Sequence, residues 1–483
     1  MKRSIGTDSL KLSISQIITT TIALVAAMLL SRFRTLEEYG TYSQLLIVIN
    51  VFTTIFMLGL PNSINYFLAR AETSDEKQRF VSIYYTLSTM LSVFTGLVLV
   101  CATPLIASYF NNPILTGFWY FLAVFPWTNI ILASIDNMLI VYKKTSRLMI
   151  FKIANSVFIL LSIIGVQILR MDFYAYMIVY LCGQAAFALT VYIVVKNVAG
   201  KIRFIVDENV IKKIFVFSIP IGLASVVGTL KRQCDTLVIA RFFNTEQLAI
   251  FANAAREIPV TMIASSLTAV LLPHLVVLLK KDCKEEAVSL WGDATSLSYI
   301  VICFISTAMF VFAPEIMSLL YSEKYLAGAP VFQIYALVLM FRCTYYGMIL
   351  NSIGKTKVIL YNSIFALVLN LILSIVFYYT FGFIGPAIAT LVATFASAWQ
   401  LLMSTSKQIS IPMKKIFPWK DILFITLMNA VFGAIFMVLK NLLHIEVYTG
   451  EILESVLLGL LWGVIYVIMN LKFIKTKWRV LNS

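Results

Sequence analysis

The chain has 483 residues, 60% of them hydrophobic and 13% charged, with a mean hydropathy of +0.91. No water-soluble domain of this length tolerates that composition on its surface, so soluble enzymes and soluble binding modules are excluded and the chain reads as an integral membrane protein. Lys and Arg outnumber Asp and Glu by 38 to 23, for a net charge of +15; the basic residues lie mostly in short connectors between apolar runs, so the excess points to membrane topology and no nucleic-acid partner is expected.

Lys2 and Arg3 precede a long apolar run without a small-residue cleavage site, so no removable signal peptide is expected. Runs long enough to cross roughly 30 Å of hydrocarbon as helices recur about fourteen times, at 12–30, 42–60, 81–103, 118–141, 148–169, 174–195, 214–240, 247–272, 288–312, 330–351, 358–380, 383–404, 421–440 and 452–471. The runs are continuous rather than alternating, which excludes transmembrane strands and predicts an all-α integral membrane protein. Thr35-x-x-Glu38 reads as a capping box that opens the second helix, a simpler account of Glu37-Glu38 than the acidic loop of a membrane glycosyltransferase. Leu58 to Ala71 reads as a short amphipathic segment along the interface. Asn244-x-x-Gln247 repeats the capping pattern before the eighth helix. Gly354-Lys355-Thr356 resembles the end of a phosphate loop, but Ile349 stands where its first glycine belongs and no strand precedes it. The six cysteines show no metal-binding spacing, and His274 and His444 are far apart in sequence, so neither a metal nor a cofactor is expected.

The connectors give the orientation. With the N-terminus inside, the cytoplasmic connectors hold 27 Lys and Arg and the opposite ones hold 6, which predicts that both termini are cytoplasmic. The order also repeats: Ser31 to Tyr42 aligns without a gap on Ala240 to Phe251, and Lys144-Thr145, Phe173-Tyr-Ala175 and Ala102-Thr-Pro104 find counterparts further on, at offsets of 209 to 211 residues. Two parallel six-helix repeats follow, an N-lobe at 1–200 and a C-lobe at 201–410, with a basic linker and two further helices at 411–483.

Five basic residues fall outside the connectors: Lys152, Lys231, Arg232, Arg256 and Arg342. Lys152 is near a helix start and snorkels. Lys231 and Arg232 lie just beyond the middle of the seventh run, Arg256 near the middle of the eighth, and Arg342 near the middle of the tenth. A charge at that depth costs at least about 2.5–3.5 kcal/mol, so these side chains need a polar interior. Asp235, four residues after Lys231, and Glu257, next to Arg256, are the acids available for a charge network. The balance is still cationic, which predicts an anion site at Lys231, Arg232, Arg256 and Arg342. The first repeat carries Ile22, Ala23 and Ala26 where the second carries Lys231, Arg232 and Asp235, so the repeat itself does not require the charges.

Ser31 to Tyr42, Leu58-Gly-Leu-Pro61, and Ser218-Ile-Pro220 leading to Asp235 and Arg241 resemble the polysaccharide-export branch of the multidrug/oligosaccharidyl-lipid/polysaccharide (MOP) superfamily, the Wzx-type flippases. The resemblance implies two six-helix lobes around a central cavity, often with two extra helices. It implies a non-enzymatic transporter that moves undecaprenyl-diphosphate-linked oligosaccharide to the periplasmic leaflet of a bacterial inner membrane by alternating access. Lipid bilayer, the lipid-linked glycan and polysaccharide assembly proteins are the partners so implied, with no cofactor and with the membrane potential or a coupled ion as drive. Two charges moved outward in an inside-negative potential of 100 mV would contribute roughly 4–5 kcal/mol. A drug or cation antiporter of the same superfamily, or a lipid II-type flippase, is the alternative. The former usually carries an acid in its first lobe, and Leu12 to Leu30 has none. A membrane glycosyltransferase or polymerase fits less well, because every outer connector is short.

Overall fold

The computed structural model describes residues 2–256, 259–443 and 451–482. Among them there is no strand. The helices are α1 (Lys2–Phe33), α2 (Leu36–Met57), α3 (Leu60–Ser63), α4 (Ser74–Tyr109), α5 (Trp119–Val141), α6 (Thr145–Ile168), α7 (Phe173–Ala199), α8 (Glu208–Phe242), α9 (Thr245–Ala254), α10 (Met262–Lys280), α11 (Lys284–Val311), α12 (Ala313–Tyr321), α13 (Ala329–Met340), α14 (Met348–Ser352), α15 (Thr356–Phe381), α16 (Gly385–Ile409), α17 (Met413–Ile416), α18 (Trp419–Leu443) and α19 (Glu451–Asn482).

Among the described residues, twelve helical stretches are long and apolar enough to span a membrane. One of them, Thr356–Ile409, has 54 residues and would be about 80 Å long as a single helix; it consists of α15 and α16, folded back on each other at Gly382–Ile384. The sequence reading of about fourteen uninterrupted spans changes at two places. The eighth run breaks between α9 and α10, and the tenth breaks between α13 and α14. Pro259, which lacks an N–H and disfavours helix in the residue before it, stands in the first break.

The outward surface is apolar, with Leu97, Leu105, Ile168, Val270 and Ile468 all exposed, while Ser88, Ser92, Thr95, Ser134, Ser296 and Ser298 are buried. That inversion is what a bilayer selects. Buried hydroxyls bond back to their own helix, as Thr95 Oγ1 does to the Leu91 carbonyl at 2.7 Å. Both capping boxes form: Glu38 N–H donates to Thr35 Oγ1 at 3.2 Å and Thr35 N–H to Glu38 Oε2 at 2.9 Å, and Gln247 N–H donates to Asn244 Oδ1 at 2.7 Å. The segment after α2 is amphipathic, with Leu60, Ile64 and Leu68 buried and Asn65 and Arg70 exposed.

The chain forms two compact units, Met1–Gln233 with Ala240–Ala249, and Cys234–Ile239 with Ile250–Ser483. In the first, α4 packs on α2 and α5, α5 packs on α7, and α6 on α7. In the second, α11 packs on α10 and α13, α13 packs on α16, and α15 on α16. These pairs are equivalent under the sequence offset, so the repeat is one of packing as well as of residues. Close packing of α4 on α5 requires Gly96: a Cβ there would stand 2.3 Å from the Ala123 carbonyl oxygen. Gly96→Leu is therefore expected to cut the yield of monodisperse protein severely, and wild-type yield and melting behaviour would contradict the contact.

The two helices after the repeats, α18 and α19, pack on α11 of the second unit. Tyr466 Oη donates to the Ile300 carbonyl at 2.8 Å and accepts from Asn429 Nδ2 at 3.0 Å, and the Trp462 ring stacks on Phe436 with centroids 4.9 Å apart. At one end Lys477 pairs with Asp293 at 2.6 Å and Asp421 at 2.8 Å, and at the other Lys440 pairs with Glu315. Lys477, one of the 27 basic residues read from the sequence as topology signals, thus also pins α19 to α11 and α18. Lys477→Met leaves two neighbouring carboxylates without their cation, and a loss of about 1–3 kcal/mol is expected, read as a lower melting temperature in detergent; an unchanged melting temperature would show that the pair is solvated.

The orientation has its own test. Asn111 and Lys201 are both exposed, in connectors after α4 and α7 respectively. In a cysteine-free background, Asn111→Cys is expected to react with an impermeant maleimide from outside the cell and Lys201→Cys only after permeabilisation. The reverse pattern would overturn the orientation read from the connectors.

Candidate functional site

The charged stretch from Gly228 to Asp235 lies on α8, which belongs to the first unit as far as Gln233. Lys231 is half-buried and Arg232 exposed. The Arg232 guanidinium turns back along its own helix, donating from Nη2 to Thr229 Oγ1 at 3.1 Å and lying beside Gly228.

Asp235 belongs to the second unit and is 3% exposed. Its carboxylate is held by hydroxyl and amide donors from three helices. Tyr335 of α13 donates its hydroxyl to Oδ2, Thr390 of α16 donates to the same oxygen at 2.6 Å, and Asn370 of α15 donates from Nδ2 to Oδ1 at 3.1 Å. Asn370 also donates to Thr390 Oγ1 at 3.1 Å and accepts from Ser374 Oγ at 3.2 Å. One buried carboxylate therefore joins α8, α13, α15 and α16. Those donors compensate part of the cost of burying it in a low-dielectric setting. Sequence reasoning singled out Asp235 but none of these partners, which are separated from it by 100, 135 and 155 residues.

The other two expected anion-binding residues stand at the helix breaks. Arg256, half-buried, follows the last turn of α9, its N–H donating to the Asn253 carbonyl at 3.2 Å. Glu257, assigned above to the same charge network, lies outside the described residues, as does His444. Arg342, also half-buried, lies in the non-helical segment between α13 and α14.

A break at membrane depth exposes backbone groups that hydrocarbon cannot satisfy. Here α11 supplies partners from one face, Ser298 to a backbone carbonyl and Trp291 and Thr295 to the Thr344 side chain. Ser298 Oγ donates to the Cys343 carbonyl at 2.6 Å, and Thr344 Oγ1 accepts from Trp291 Nε1 at 3.0 Å and from Thr295 Oγ1 at 3.1 Å. The break is thus a built feature. Broken helices supported in this way are where membrane transporters place polar chemistry. Among the described residues no cluster of His, Cys, Asp and Glu could hold a metal ion.

The second unit thus brings Asp235, Tyr335, Asn370 and Thr390 into one hydrogen-bonded network. Lys152, read from sequence as a snorkelling residue, instead pairs with Asp136 at 2.8 Å.

Comparison with known proteins agrees with this architecture. The uncharacterised membrane protein MJ1375 of Methanocaldococcus jannaschii is 27% identical over 385 residues, covering 74% of this chain and 87% of the relative. Among solved structures, the lipid II flippase MurJ in an inward closed conformation superposes with a TM-score of 0.76 at 18% identity, covering 96% of this chain and 99% of MurJ. An inward-facing multidrug-resistance MATE transporter of the MOP superfamily superposes with a TM-score of 0.68 at 16% identity, covering 84% of this chain and 99% of that one. A family model described as polysaccharide biosynthesis protein matches residues 29–330, more than half of the chain. The chain is an all-α multi-pass membrane protein with the fold of MurJ and MATE transporters, and it belongs to the polysaccharide biosynthesis protein family.

Proposed function

We propose that the chain is a flippase that moves an undecaprenyl-diphosphate-linked oligosaccharide from the cytoplasmic to the periplasmic leaflet of a bacterial inner membrane, by alternating access and without enzymatic chemistry. What supports this reading is the occurrence of basic side chains within or between apolar helices, with Arg256 and Arg342 at two helix breaks and Lys231 and Arg232 on α8. A diphosphate headgroup loses its hydration on crossing, and guanidinium and ammonium groups restore part of it through charge-assisted hydrogen bonds. Each of the four residues is proposed to contact the diphosphate during transport, with the inside-negative potential, or a coupled ion, as the drive.

Family membership supports polysaccharide as the cargo, and the likeness to a lipid II flippase supports a lipid-linked form. The antiporter alternative rests on the likeness to MATE transporters, but a cationic cargo needs an acid to receive it, and α1 has no Asp or Glu from Lys11 to Phe33. The two readings differ in ligand charge. A polyprenyl diphosphate added to the purified protein is expected to raise its melting temperature in a concentration-dependent way, and a lipophilic cation is not. Stabilisation by the cation alone would overturn the proposal.

A further inference from the structure

Away from the charged stretch, the first unit contains a cavity of about 440 Å³, within the range of about 300–1,000 Å³ typical of small-molecule sites. Its wall carries four carboxamides, each from a different helix: Asn50 of α2, Asn129 of α5, Asn155 of α6 and Gln184 of α7. A smaller cavity of about 240 Å³ shares Asn50, Asn129 and Ala133 with it and extends the polar lining through Thr53 and Asn62.

Carboxamides inside a helix bundle can act simply as interhelical glue. The pairs are present: Gln184 Nε2 donates to Asn155 Oδ1 at 3.0 Å, and Asn129 Nδ2 donates to Asn50 Oδ1 at 3.4 Å. Each such bond engages one of an amide's two N–H groups or one lone pair of its oxygen, and a carboxamide has two of each. Glue needs tight contact, whereas these amides border open space, where their further donors and acceptors are available to a guest.

The rest of the lining narrows what that guest is. Asp136 and Lys152 are the charged residues among those that line the cavity, and they neutralise each other at 2.8 Å. Neither a phosphate nor an organic cation finds an uncompensated charge there. Tyr180 and Phe125, with ring centroids 5.6 Å apart, add an aromatic wall beside the amides. Alternating donors and acceptors match hydroxyl groups, which are both, and an aromatic wall matches the C–H face of a pyranose ring. We propose that this cavity is a saccharide subsite that holds a neutral sugar of the cargo, so that the first unit reads the glycan. This rests on the flippase reading above and adds to it the substrate's sugar as a recognised element.

The test is equilibrium binding of free glucose, galactose, mannose and N-acetylglucosamine to the full-length protein in detergent, followed by saturation-transfer NMR. At least one sugar is expected to bind, with its ring C–H protons receiving saturation from aromatic protons. Asn155→Leu combined with Gln184→Leu removes both members of one amide pair and so leaves no orphaned partner; it is expected to weaken binding about tenfold. Asn129→Leu, in the other pair, is expected to do the same and serves if the double substitution disturbs folding. Failure of all four sugars to bind, or undiminished binding in these variants, would overturn the subsite. The flippase reading fails separately, through the absence of stabilisation by polyprenyl diphosphate, which carries no sugar. Sugar binding without that stabilisation would leave the subsite standing and remove the flippase.

Discussion

Arg256→Gln and Arg342→Gln, tested singly, are expected to lower transport of a polyprenyl-diphosphate-linked glycan about tenfold or more per folded protein, since a hydrogen bond to a charged group contributes roughly 1.5–3 kcal/mol. Insertion should be unaffected, because removing a charge at membrane depth eases partition into the bilayer. Arg→Lys at either position should restore only part of the activity: an ammonium is a point charge, whereas a guanidinium offers phosphate a planar fork. Lys231→Gln and Arg232→Gln are expected to act in the same direction. Arg232 is the more exposed and is tied only to Thr229 Oγ1 in its own helix among the bonds described, so its neutralisation should leave stability least changed. The readout is transport rate normalised to folded protein, set beside the melting temperature. If activity and stability fall in proportion across the series, the arginines are structural. If the variants are stable and fully active, the anion-site assignment is wrong.

Asp235→Leu should produce the largest loss of stability. The substitution removes the acceptor shared by Tyr335, Thr390 and Asn370; Asn370 keeps Thr390 Oγ1 as a partner, whereas the Tyr335 and Thr390 hydroxyls lose the carboxylate, and at about 1–3 kcal/mol for each such buried donor about 2 kcal/mol or more is expected. Asp235→Asn retains one acceptor oxygen and offers an N–H to hydroxyls that can rotate to accept it, so a smaller loss of about 1–2 kcal/mol is expected. Thermal unfolding in a single detergent measures both. Asp235→Leu unfolding at the wild-type temperature would show that the carboxylate does not hold α8, α13, α15 and α16 together.

Much of the fold was legible in the sequence because the bilayer imposes one dominant constraint, a continuous apolar length, and that constraint is local. The same is true of the caps at Thr35 and Asn244, where a side chain meets a backbone group three residues away. The repeat was visible for a related reason, since equivalent connectors keep their order and their turn residues. The helix breaks were hidden. Around Arg342 the segment Phe341 to Gly347 is rich in aromatic residues, and hydrophobicity averaged over a span-length window passes over it. What defines that break is the face of α11 at Trp291, Thr295 and Ser298, about fifty residues earlier in the chain. Pro259 was a local signal for the other break.

The candidate site was half legible for the same physical reason. A charge in an apolar run stands out by itself, which is how Lys231, Arg232, Asp235, Arg256 and Arg342 were found. Its environment does not stand out, because Tyr335, Asn370 and Thr390 are ordinary polar residues until tertiary packing brings them to one carboxylate. Lys477 is a similar case. Its position beyond the last apolar run reads as a topology signal, and only the packing of α19 on α11 gives it Asp293 as a partner.

The most direct test of the central claim is leaflet-resolved transport in proteoliposomes, with an undecaprenyl-diphosphate-linked oligosaccharide supplied on the cytoplasmic face and its appearance on the opposite face followed by an enzyme confined to that side. The account predicts protein-dependent transfer that is faster when the potential is negative on the cytoplasmic side and that is lost in Arg342→Gln. Correctly inserted, folded protein that gives no transfer above that of empty liposomes would contradict it.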